Sequence, residues 1–413
     1  MTKAATPVRS PVATTVERGA GVESSLVPTP IVFFLQHRLP VAEAEQDRGA
    51  EVVVIAPDGG RGHEVERAGF EFVPLPLSRR TVLFLARTYR RLRPDLVHHL
   101  TIKPVLYGSL AARFCLPRPA VVNAVPGFGF VFTEAAASLL RPLVRLLHRG
   151  VLRGPRTVTI FGNGDDRREF VSAGLIPRSS AALLPGLGVD GRYHPTAEPE
   201  DTPLVILPCR MLWNKGVRHF VDAATLVRSR GIEARFALVG SADPGNPSCI
   251  SAAQLEQWEA EGKVEWWKHR SDMPAVFASA NLVAFPTCYR EGVPRVLLEA
   301  AAAGRAIVAS DMSGCREVER PGVKGEHIPP GDVRARASAI ETLLKDAPRR
   351  AASGRAACGI AVSEFDAGTV IGRLLTLHEE VVHSGDEQPR GGFIAHTVST
   401  PLATPSPGER KGM

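Results

Sequence analysis

Short runs of β-branched and apolar residues, each followed by an amphipathic helical pattern, recur in two series along this chain. That alternation is the signature of parallel sheets covered by helices on both faces. The first series predicts strands at 30–35, 51–56, 95–99, 119–125 and 157–162. The second predicts strands at 203–208, 234–239, 263–267, 281–285 and 306–309, with helices over 216–230, 294–303 and 332–345. A chain of 413 residues exceeds one ordinary domain, so two halves with separate cores are expected. The fold class is α/β: two Rossmann-like, doubly wound parallel-sheet domains facing a cleft.

The punctuation of the chain sets the domain limits. Residues 1–27 and 384–413, rich in Pro, Ser, Thr and small residues, read as disordered tails. Residues 28–184 form the first domain, the turn-rich stretch 185–202 the linker, and 203–383 the second domain. In doubly wound sheets, ligands bind at the carboxyl ends of the strands, so functional residues are expected in strand-end loops.

Charge and cysteine usage narrow the partners. The six cysteines lie far apart, with no C-x-x-C pair, which fits reduced thiols and no metal cluster. The N-terminus lacks the layout of a signal peptide, and no apolar run reaches the ~20 residues that span a bilayer. The expected location is the cytosol, or the inner face of the cell membrane as a peripheral protein. The net charge of +7 concentrates in residues 79–153, where thirteen Arg or Lys stand against Asp95 and Glu134. Nucleic acid is not the expected partner, because recognition motifs and interleaved aromatics are lacking. An anionic membrane surface or a lipid-linked diphosphate fits at least as well.

Two strand-to-helix junctions in the second half carry the chemistry. Strand 203–208 runs into Cys209-Arg210-Met211-Leu212-Trp213-Asn214-Lys215-Gly216, with Asn214 as the expected N-cap. Arg210, Lys215 and a helix N-terminus can converge there on one anion, and a diphosphate is the natural guest. Strand 281–285 leads to Cys288-Tyr289-Arg290-Glu291-Gly292-Val293-Pro294 and, within the next helix, Glu299. Glu291 falls at the cleft and Glu299 one to two turns along the helix, within reach of a ribose.

Arg210 with Lys215, followed by Glu291 and Glu299 with seven residues between them, resembles the donor site of family-4 retaining glycosyltransferases of the GT-B fold. The resemblance spans roughly 30–382 and is strongest in the second half. It implies a glycosyltransferase using a nucleotide-sugar, UDP-linked by family expectation, with no cofactor and no metal. Arg210 and Lys215 would bind the donor diphosphate, Glu291 would face the sugar and Glu299 would hold the ribose. Gly292 and Val293 would line the donor, Gly240 the phosphate approach and Arg270 the base, although Arg270 and Asp272 could equally cap a helix.

The first half contributes Phe33-Phe34-Leu35-Gln36-His37-Arg38-Leu39-Pro40, the run from Pro94 through His98, His99 and Lys103 to Pro104, and Asn123 to Phe130. These are similar to the subgroup that builds glycans on polyprenyl-diphosphate carriers, which implies a lipid-linked or glycan acceptor. His98 and His99 would serve catalysis by bonding an acceptor hydroxyl, or would be satisfied core histidines. His37, Lys103, Gly127 and Gly129 would line the acceptor side, although a tight turn also explains the glycine pair. Residues 139–153 form a basic amphipathic pattern with Arg141, Arg145 and Arg149 on one face. Its leucines would pack on the sheet or touch lipid. Pro28 and Pro30 sit poorly in the first strand, which leaves a second reading: a catalytically silent nucleotide-sugar-binding scaffold of a membrane glycan-assembly complex.

Overall fold

The computed structural model describes residues 9–14, 30–76, 78, 80–125, 149–184, 186, 188–318 and 326–384. Among them, two parallel sheets carry the architecture. The first contains β1 (Arg9–Thr14), β2 (Glu51–Ala56), β3 (Glu71–Pro74), β4 (Leu96–Leu100), β5 (Ala120–Val125), β6 (Thr157–Phe161) and β7 (Ala181–Leu183). Its strand order is β3-β2-β1-β4-β5-β6-β7. The second contains β8 (Leu204–Pro208), β9 (Arg235–Val239), β10 (Glu265–Trp266), β11 (Leu282–Phe285), β12 (Ala306–Ser310) and β13 (Glu326–Ile328), in the order β10-β9-β8-β11-β12-β13. In each sheet the strand order reverses beside a central strand, which opens a crevice at the carboxyl edge.

The fully buried runs of β8, β11 and β12, apolar but for Ser310, reflect cover on both faces. The helix Val217–Ser229 covers one face with Val217, Phe220, Val221, Ala224 and Val227 at helical spacing. The first sheet is covered on one face by Leu85, Tyr89 and Ala111, and on the other by Ile31, Phe34, Val65 and Phe70.

Three expectations need correction. Residues 30–35 are not a strand: Pro30–His37 is a helix that buries Ile31 and Phe34. A short apolar run has no period that separates helix from strand, and Pro30 suits a first helical position. The slot at the centre of the sheet is filled by Arg9–Thr14, which lies in the expected tail and pairs in parallel with both β2 and β4. Pro11 stands opposite Val53 within it, a residue type that argues against a central strand when read from sequence.

The third correction concerns residues 367–383, which were expected in the second domain. The helix Ala367–His383 is capped by Asp366, whose carboxylate accepts from the Thr369 amide at 2.9 Å. Its residues Val370, Leu374, Leu375 and Val381 pack on Val41, Leu96, Val122 and Ile160 of the first half. Truncating the fully buried Leu374 to Ala would cost about 2–5 kcal/mol. The chain therefore crosses back, and its last described helix belongs to the first core. Of the expected tail 384–413, everything beyond Ser384 lies outside the described residues.

Candidate functional site

The phosphate-side floor begins where β8 ends. A short turn, Trp213–Lys215, leads into Gly216, which caps the helix Val217–Ser229 in place of the expected Asn214. Gly216 has φ 76°, and a Cβ there would lie 1.9 Å from the Pro286 carbonyl oxygen. Only glycine satisfies both the left-handed backbone and the contact. This close approach seats the helix N-terminus, with its unpaired amides, against the loop that carries Glu291.

Lys215 and Glu291 meet there. Lys215 Nζ is 2.8 Å from Oε1 and 2.7 Å from Oε2 of Glu291, and 5.7 Å from the Phe285 ring centroid. Arg210 Nη1 donates to Asp243 Oδ2 at 3.0 Å, with the Arg210 side chain 53% exposed and Asp243 buried. Each of the two expected phosphate cations is thus partnered by a carboxylate, with Lys215 directly before the helix start.

Glu299 lies on the helix Arg295–Ala302 and is buried. Burial raises its carboxyl above the usual range, against the pull of Arg295, whose Nε donates to Glu299 Oε1 at 2.9 Å. Tyr193 of the linker also hydrogen-bonds this carboxyl. Arg295 reaches the other half as well, with Nη1 3.2 Å from His37 Nδ1. Burial and the neighbouring Arg295 and Arg38 charges lower the His37 pKa to about 4, so the imidazole is neutral and accepts from the guanidinium.

Gly240 closes the rim between β8 and β9. At φ 147°, a Cβ would meet the Cys209 carbonyl oxygen at 1.9 Å, while the Gly240 carbonyl accepts from the Trp266 indole at 2.8 Å. Arg270 is forked on Asp272 at 2.8 and 2.5 Å. Asp272 precedes the helix Met273–Ala278 without a side-chain capping bond, its carboxylate being held by Arg270. Gly292 is buried and Val293 half-buried beside Glu291.

The two expected catalytic histidines are core residues. Consecutive strand residues point to opposite faces, and both faces here are covered. His99 is fully buried, with Nδ1 2.9 Å from Asn123 Oδ1 and Nε2 3.2 Å from the Tyr89 hydroxyl. Because Asn123 Oδ1 also accepts from Ser109 at 3.0 Å, Nδ1 carries the proton and Nε2 accepts. Burial lowers the His99 pKa to about 4. His98 is buried edge-on to His378 at 5.0 Å between ring centroids, and His378 Nδ1 lies 2.7 Å from Glu45 Oε1. A catalytic base must reach the proton it takes, and neither imidazole is open to a substrate. Lys103 is half-buried on the helix Ile102–Ala112. Gly127, Gly129, Arg141 and Arg145 lie outside the described residues. Sequence reading missed Asp243, Tyr193 and Arg295 as site neighbours. Arg295 sits four residues before Glu299, the one spacing that could have revealed a partner.

No described helix is long and apolar enough to cross a membrane. A family model described as "Glycosyl transferases group 1" matches residues 202–346, and one described as "Glycosyl transferase 4-like" matches residues 32–160. The N,N'-diacetylbacillosaminyl-diphospho-undecaprenol alpha-1,3-N-acetylgalactosaminyltransferase of Campylobacter jejuni is 26% identical, covering 84% of this chain and 95% of that protein. The capsular polysaccharide biosynthesis glycosyltransferase CapM of Staphylococcus aureus is 26% identical over 67% of this chain and 74% of its own length. Among solved structures, HepE of Anabaena in complex with UDP shares the fold at TM-score 0.71 and 20% identity, covering 90% of this chain and all of that one. A glycosyltransferase of Rickettsia africae does so at TM-score 0.72 and 14% identity, covering 91% of this chain and 99% of that one.

Proposed function

Because the chain belongs to the family-4 glycosyltransferases of the GT-B fold, we propose that it transfers a sugar from a UDP-linked donor to a polyprenyl-diphosphate-linked acceptor. Transfer retains anomeric configuration and takes place at the inner face of the membrane, in the assembly of a cell-surface glycan. The observation that carries this reading is Lys215 on Glu291 at the amino end of Val217–Ser229, with Arg210 on Asp243 in the loop that leaves the same strand. The acceptor class rests on the Campylobacter relative, whose name gives a diacetylbacillosaminyl group carried on diphospho-undecaprenol.

The donor diphosphate takes Lys215 from Glu291, and the freed carboxylate turns to the sugar. As the bond to the sugar breaks, its electron pair leaves with the diphosphate, where two cations and oriented amides stabilise the growing charge. This charge neutralisation stands in place of a metal. The acceptor oxygen bonds the anomeric carbon on the same face, and its proton passes to the departing phosphate oxygen. Glu299 holds the ribose, and Arg295 keeps its carboxyl in register.

A silent binding scaffold drew its support from a defective first strand and from the basic first half. Arg9–Thr14 fills the place of that strand, and the basic half fits an enzyme at a lipid-linked acceptor equally well.

The test is a thermal-shift screen of UDP-, GDP- and ADP-sugars, since a ligand bound only by the native state raises its stability. Mass spectrometry of membrane lipid extract incubated with the best donor follows. Stabilisation by UDP-sugars and a hexose-sized mass gain on a polyprenyl diphosphate are expected. Stabilisation by none of the three, or binding without transfer, would overturn the reading.

A further inference from the structure

The loop that carries Glu291 is gripped from the other half of the molecule. Arg290 Nη2 lies 2.7 Å from Asp166 Oδ1 and 2.6 Å from Glu169 Oε2, both on the helix Gly164–Ser172 that follows β6. Asp166 is 1% exposed. Asn163 caps that helix by accepting from the Asp166 amide at 2.8 Å, and its Nδ2 donates to Asp166 Oδ2 at 2.9 Å. The same Nδ2 reaches the Glu291 carbonyl oxygen at 3.4 Å. One asparagine thus connects the helix cap of the first half to the backbone of the donor loop.

The surrounding contacts run in the same sense. A Cβ on Gly162 would lie 3.2 Å from Gly292 Cα, so the two backbones touch. The Gly164 amide donates to Glu317 Oε1 at 2.7 Å, and Arg316 Nη1 lies 2.9 Å from Asp165 Oδ2. Residues 162–169 therefore meet 290–292 and 316–317 as one continuous seam. On the donor side of that seam, Lys215 holds the Glu291 carboxylate.

We propose that Arg290 is a positioning residue: docked on Asp166 and Glu169, it sets the Glu291 loop in its working place only when the two halves are closed on one another. Glu291 then has two supports. Lys215 holds its side chain and the seam holds its backbone. When the donor diphosphate takes Lys215, the seam alone keeps the carboxylate aimed. Separation of the halves would break both contacts of Arg290, to Asp166 and to Glu169. The proposal rests on the role assigned above to Glu291.

The test compares Arg290→Gln, Asp166→Asn, the double variant, Arg290→Lys and Glu291→Gln. UDP release from UDP-glucose and from UDP-N-acetylgalactosamine is followed with membrane lipid extract, and UDP affinity by calorimetry. Loss of positioning lowers kcat about tenfold or more, with UDP affinity within about twofold of wild type. Arg290→Lys restores part of the rate, and the double variant is no slower than the slower single variant, since both remove one contact. Hydrogen exchange of amides 288–293 is read in parallel and needs no donor. It should quicken in both single variants while the amides of Val217–Ser229 keep their protection. The rim variant Glu169→Gln, at a half-exposed position, gives the same direction should Asp166→Asn fail to fold. Wild-type kcat and unchanged exchange in Arg290→Gln, or multiplied losses in the double variant, overturn the proposal. If Arg290→Gln is slow and Glu291→Gln keeps full activity, the role of Glu291 falls and the proposal with it. If only Glu291→Gln is slow, the seam alone is refuted.

Discussion

Lys215 Nζ bridges both carboxylate oxygens of Glu291, at 2.8 and 2.7 Å, so the deepest cation of the donor site is neutralised by the residue assigned to the sugar. On the proposed reading, a bound diphosphate and Glu291 compete for one ammonium. Replacing either partner therefore affects donor binding in opposite directions.

Lys215→Ala should weaken UDP binding by about 1.5–3 kcal/mol, the worth of a hydrogen bond to a charged group. Glu291→Gln should leave UDP affinity equal or tighter while lowering kcat. Calorimetry with UDP, set beside single-turnover transfer, separates the two. Weaker UDP binding in Glu291→Gln would contradict the competition.

Glu299→Gln removes the group proposed to hold the ribose in the ground state and the transition state alike. Uniform binding of that kind shows in KM and not in kcat. The donor KM should rise about tenfold with kcat within about twofold. A selective fall in kcat would place Glu299 nearer the reacting bond.

Stability should fall on acidification. His99 is neutral when folded, with a pKa of about 4 against an ordinary 6.5, because burial disfavours its charged form. Burial acts the same way on His98, which is held well below the ordinary value. The unfolded chain takes up protons first, so the contribution is complete above pH 6.5 and is lost as pH falls towards 4. At pH 5, His99 alone accounts for about 2 kcal/mol. Urea midpoints at pH 7.5 and pH 5 test this, and His99→Gln should flatten the difference.

Gly216→Ala should destabilise the second half by at least about 2 kcal/mol, because a side chain at that backbone angle is strained and meets the Pro286 carbonyl. Urea unfolding measures the loss. UDP binding should weaken alongside it, since the helix start moves with the clash.

The second half was legible because its strands are unbroken apolar runs ending in loops that carry charge, as at Leu204–Pro208 before Arg210 and Leu282–Phe285 before Glu291. The first strand was hidden by Pro11 and by a flanking composition typical of tails. The run from Ile31 to Leu35 reads equally as either element without its neighbours. His98 and His99 lie on a strand buried throughout, where period-two alternation vanishes and no signal separates a core histidine from a catalytic one. Tyr193, Asp243 and the seam around Arg290 come from chain segments far apart in sequence, and only the closed fold brings them together.

The return of Ala367–His383 to the first sheet has a consequence for synthesis. A ribosome releases the first sheet before the second, but Val41, Leu96 and Val122 receive their cover of Val370 and Leu374 only after residues 203–366 have been made. The donor half is contiguous and can close its core first. The half made first of the two is therefore the one completed last, and nascent chains stalled before residue 367 would carry an exposed apolar strip for chaperones to bind.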